Sequence, residues 1–68
     1  MTIKYFRETD TALLEFSRGV VDETREIGEN IYVDLDKQGN LVSMTIEHAR
    51  ESADFPHVGV EGIEQGVA

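Results

Sequence analysis

Residues 30–47, Asn30-Ile-Tyr-Val-Asp-Leu-Asp-Lys-Gln-Gly-Asn-Leu-Val-Ser-Met-Thr-Ile-Glu47, decide the fold. In the first half, Ile31, Val33 and Leu35 alternate with Tyr32, Asp34 and Asp36. In the second, Val42, Met44 and Ile46 alternate with Leu41, Ser43, Thr45 and Glu47. A period of two places each apolar set on one side of an extended strand. Between them, Asp36-Lys-Gln-Gly-Asn40 has an Asp to open a turn and a Gly able to take positive φ. The segment predicts a β-hairpin with one dry face.

The same period extends toward the N-terminus. Thr2–Phe6 sets Ile3 and Tyr5 against Lys4, and Ala12–Phe16 sets Ala12, Leu14 and Phe16 against Leu13 and Glu15. The polar link Glu8-Thr-Asp-Thr11 makes these two runs a second hairpin. After the break at Ser17-Arg-Gly19, Val20–Ile27 alternates without a clean apolar face; its charges fit a strand at a sheet edge. His48–Asp54 loses the rhythm and is read as a short helix that ends before Pro56. Two turns are marginal alone and need packing against the sheet. The expected fold is α+β: an antiparallel meander of about five strands with a short C-terminal helix. Residues 1–54 form one small β-rich domain, and residues 55–68 form a tail, extended or partly disordered.

With 68 residues the chain is near the lower limit for independent folding. Such chains are usually stapled by disulfides, a metal or a second subunit. There is no cysteine, which removes disulfides, thiolate zinc sites and thiol nucleophiles. Oligomerisation is left as the expected source of stability. Fourteen acidic residues against six basic ones give a net charge of −8. That surface repels phosphate backbones and anionic membranes and attracts a basic protein. Neither a spanning segment nor the apolar core of a signal peptide is present, so a cytoplasmic location is expected.

Motifs of chemistry are sparse. Asp34-Leu-Asp-Lys-Gln-Gly39 is similar to the start of a calcium loop, but the twelfth position is Thr45 in place of a bidentate Glu. A hairpin turn accounts for every residue there, and no calcium is expected. His48 and His57, with Glu47, Glu51 and Asp54, lack the spacing of a metal site. Asp34 and Asp36 share the polar side of one strand, but no nucleophile or oxyanion donor accompanies them. No catalytic residue, metal or cofactor is assigned.

The run of features resembles the YuzE-like family, small prokaryotic proteins classed as a domain of unknown function. The resemblance rests on Ile3-Lys-Tyr-Phe6, the acidic turn Glu8-Thr-Asp10, Ala12-Leu-Leu-Glu-Phe16, Asn30–Asp36 with Gly39, and Leu41–Glu47 leading to Ala49. It covers about residues 2–50. It implies the five-stranded meander with a C-terminal helix and supplies no catalytic residue. Some members resemble the antitoxin half of toxin–antitoxin pairs.

Three functions are expected in order. The first is a non-enzymatic interaction module forming a homodimer. Its candidate interface residues are Leu13 and Tyr32, apolar groups on otherwise polar strand faces, and Phe55, Val58 and Val60 of the tail. Val58 and Val60 offer an added strand to this sheet or a neighbour's. The second is an antitoxin-like acidic inhibitor of a small basic ribonuclease-type toxin. The third is a small metal-dependent or acid–base enzyme using Asp34, Asp36 or His48.

Overall fold

The architecture comes from a computed structural model, which describes residues 1–63. Five strands form one antiparallel sheet: β1 (Thr2–Phe6), β2 (Thr11–Glu15), β3 (Glu23–Gly28), β4 (Ile31–Leu35) and β5 (Leu41–Glu47), followed by α1 (Ala49–Ser52). The spatial order is β1-β2-β5-β4-β3. The expected meander is kept within β1–β2 and within β3–β4–β5. The link Phe16–Asp22 crosses to the far edge, and β5 then returns to pair with β2. The longest strand, β5, is therefore central. The charged strand β3 is at the edge, as its composition predicts.

β3 begins three residues later than the alternation suggests. Val20 and Val21 belong to the crossing link, where they are 83% and 47% exposed. A bulge between Glu26 and Gly28 shifts the register at the end of β3 and leaves Ile27 exposed. Such an irregular, charged edge discourages strand addition.

The 36–40 turn forms as its residues dictate. The Asp36 carboxylate accepts from the amides of Gln38 (2.9 Å) and Asn40 (2.8 Å) and from the Asn40 side-chain amide (3.2 Å). Gly39 takes φ 83°, and its amide donates to the Asp36 carbonyl. These amide bonds, led by that of Asn40, hold the Asp36 carboxyl below its ordinary value.

Register fixes the two faces. One face carries the rows Tyr5, Ala12, Ile46, Ile31 and Ile3, Leu14, Met44, Val33, with Val42 and Leu35 beyond them. The helix expected to cover this face is a single turn. It covers one end, where Ala12 and Ala49 are fully buried. The crossing link covers the other end, with Gly19 close against Val42. No large side chain among the described residues is fully buried. The radius of gyration is 14.0 Å, against about 11 Å for a compact chain of this length. The exposed residues 56–63 and the thinness of a single sheet both contribute.

Candidate interaction surface

The middle of the apolar face is open. Ile3, Leu14, Ile31, Val33, Leu35, Met44 and Ile46 are half-buried, although all point to the side that ordinarily packs a second layer. A sheet buries its apolar face only against another element, and among the described residues the cover is one helical turn, a crossing link and Phe55 stacked on Tyr5. Of the strand residues on this face only Glu23 and Arg25 of β3 are charged, and they neutralise one another through bonds of 2.7 and 3.1 Å; at the β1 corner Arg7, Asp10, Arg50 and Glu51 gather beside Tyr5. This surface was not singled out in the sequence, because its residues read as an ordinary core. What betrays it is the shortness of the segment available to cover them.

The opposite face gathers two of the expected interface residues. Leu13 pairs with Thr45, and Thr45 pairs with Tyr32, so Leu13 and Tyr32 flank Thr45 in one row across β2, β5 and β4. Both are half-buried. Their surroundings are acidic: Glu15, Glu26, Asp34 and Glu47 share the face with Lys4, which is paired to Glu15 at 2.9 Å. The charges of Glu47 and then Glu26 raise the Tyr32 hydroxyl above its ordinary value. Asp34 is engaged within the sheet, accepting from Thr24 (2.6 Å) and from Ser43 (2.5 Å).

Residues 55–63 do not join the sheet. Among the described residues there is no strand after α1, and the glycines at 59 and 62 leave little to pack. Phe55 stacks on Tyr5 with ring centroids 6.2 Å apart and an interplanar angle of 14°. Val58 and Val60 are 51% and 86% exposed. Val67 lies outside the described residues.

Tyr5 is anchored by Asp10, which the sequence did not single out. The Tyr5 hydroxyl donates to the Asp10 carboxylate at 2.6 Å. The same carboxylate accepts from the Arg50 amide at 3.1 and 3.3 Å, and the Asp10 carbonyl accepts from the Ala49 amide at 2.8 Å. Asp10 takes φ 51° and His48 φ 52° to make these turns. Asp10 thus ties the first hairpin to α1. The Tyr5 hydroxyl, then the Arg50 amide, hold its carboxyl below the ordinary value.

The residues weighed for chemistry are dispersed. Asp34 faces the sheet's polar side, whereas the register shift after it carries Asp36 into the turn. Among the described residues no three of His, Asp or Glu converge as metal ligands. A shallow cleft of about 480 Å³ lies between the crossing link and the 36–40 turn, lined by Gly19–Asp22 and Asp36–Gln38. No helix among the described residues is long and apolar enough to cross a membrane.

Fold and surface together define a small single-sheet α+β domain with one open apolar side. Residues 2–50 match the family described as "Protein of unknown function (DUF2283)", and the chain belongs to that family. The match spans all five strands and the start of α1, the same stretch that carries the sequence resemblance. No curated protein and no solved structure matches the chain.

Proposed function

We propose that this chain is a non-enzymatic protein-interaction module that works as a homodimer in the cytoplasm. The observation that supports it is the five-stranded sheet whose apolar face has no second layer among the described residues. A domain of this size without disulfides gains most from a second subunit. Light scattering at low micromolar concentration tests the reading. A mass of twice 7.6 kDa is expected, and a stable, strictly monomeric protein would count heavily against it.

A second reading is favoured by the acidic face and the exposed tail: an antitoxin-like inhibitor of a small basic ribonuclease-type toxin. Glu15, Glu26, Asp34 and Glu47 on one side offer a basic partner a complementary field. Val58 and Val60 would supply apolar contacts. A short reading frame for a basic protein beside this one is expected on this reading. Removal of residues 57–68, which leaves the Phe55–Tyr5 stack in place, should abolish inhibition while the sheet stays folded.

A further inference from the structure

We infer that the dimer closes through the open apolar face, placing Met44 and Val33 of one copy against the same face of a second copy. The acidic face that carries Leu13 and Tyr32 stays in water. This rests on the homodimer reading and assigns it a surface.

Charge selects the face. At net −8 the chain repels itself, so two copies can meet closely only where each is locally neutral. The acidic face sets Glu15, Glu26, Asp34 and Glu47 against Lys4 alone, and copies joined there would bring like charges together. The apolar face carries Glu23 and Arg25 paired at its β3 edge, apolar side chains in between, and at its Tyr5 corner Arg7 and Arg50 balanced by Asp10 and Glu51. It is the self-compatible side of the molecule.

Area and architecture agree with a second copy as the occupant. Five strands of about five residues present a projected face of roughly 400 Å² before the corrugation of the side chains is counted. A standard interface takes about 800 Å² of accessible surface per partner, so this one belongs at the small, dissociable end. Two copies face to face make a two-layer β-sandwich, the architecture that a lone amphipathic sheet lacks. The contact is isologous, the same rows being used on both copies.

The chain has no cysteine, so single introduced thiols report each face without background. Met44 and Thr45 are adjacent in β5 and point to opposite faces. In Met44→Cys, alkylation of the thiol should slow by about tenfold between dilute protein and a concentration far above the dissociation constant, as mass action dictates. In Thr45→Cys, the rate should not change with concentration. Leu14→Cys and Leu13→Cys, on the corresponding sides of β2, give a second pair if a β5 variant misfolds by circular dichroism. Protection of the thiols at 45 and 13 in place of 44 and 14 overturns the assignment of the face. So does equal reactivity of all four in a chain that light scattering shows to be dimeric. A monomeric mass at every concentration overturns the homodimer reading itself.

Discussion

Val33 and Met44 are paired across β4 and β5 in the middle of the apolar face, and neither is buried. Residues at the centre of a sheet are the first to be covered when a second layer exists. Among the described residues the covering elements reach the two ends, at Ala12 and Val42. The dissociable sandwich proposed above follows from that geometry, and its consequences differ from those of a self-sufficient monomer.

Stability should depend on protein concentration. If the native state is a dimer and the unfolded state is not, each tenfold rise in concentration adds about 1.4 kcal/mol per dimer. For a pair of chains of this size, the thermal midpoint should rise by about 5 °C per tenfold. Circular dichroism melts over a concentration series check this. A midpoint that stays constant is the signature of a monomer.

Salt should tighten the dimer. With the acidic faces outward, the charges of the two copies lie about 20 Å apart across the sandwich, and two sets of −8 repel by roughly 13 kcal/mol in pure water and by about 1 kcal/mol once screened at physiological ionic strength. Burying the apolar surface that these half-buried side chains still expose, roughly 250 Å² on each copy, contributes roughly 12 kcal/mol before the cost of association. Apolar burial therefore wins in moderate salt and is opposed strongly only at low ionic strength. Sedimentation at low and high salt should show the dissociation constant falling as salt is added. A complex with a basic partner through the acidic face would respond in the opposite sense.

Gly39 tests the hairpin that organises the sheet. Its φ of 83° is left-handed, and a Cβ there would meet no atom within 4 Å. The cost of Gly39→Ala is therefore backbone conformation alone, about 1–2 kcal/mol by urea denaturation. Gly39→Asn should cost less, since Asn tolerates that region. Equal losses for the two would point to a packing role instead.

Asp10 should shape the acid limb of stability. Its carboxyl lies below the ordinary value of 3.8, chiefly through the Tyr5 hydroxyl. Its contribution is complete above that value and is lost as pH falls through the lower folded value. Tyr5 is raised above 10.0, first by its bond to Asp10, so its share is complete below pH 10 and is lost at higher pH. Asp10→Asn keeps a residue that tolerates φ 51° but removes the charge. The variant should be less stable at neutral pH, with a shallower decline below about pH 4 in pH-dependent urea melts. Asp36 and Glu23 also lie below their ordinary values, so part of the limb should remain. An unchanged acid limb would show that the Tyr5–Asp10 bond does not couple to folding.

Most of the sheet was legible because alternation and turn chemistry are local. The period of two locates β1, β2, β4 and β5 to within a residue or so, and Asp36 with Gly39 marks the turn that forms. Three features were not legible. The insertion of β5 beside β2 depends on pairing between distant segments, which alternation does not encode. The start of β3 was placed early because Val20 and Val21 resemble strand residues, yet they lie in the crossing link. Asp10 looked like one more polar turn residue, and its bonds to Arg50 and Ala49 span some forty positions. For the surface, Leu13 and Tyr32 stood out as apolar residues among polar ones, and the register does bring them into one row. The larger open surface is not legible because Val33, Met44 and Ile46 read as an ordinary core, and sequence alternation does not show that the helix above them is one turn long.

Mixed-label nuclear Overhauser spectroscopy on a dimer of isotopically labelled and unlabelled chains tests the central claim most directly. Cross-peaks are expected between the Met44 methyl of one copy and the methyl groups of Leu14, Val33 or Ile46 of the other. Intermolecular cross-peaks confined to Leu13 and Thr45, or none at concentrations where the mass is that of a dimer, would contradict it.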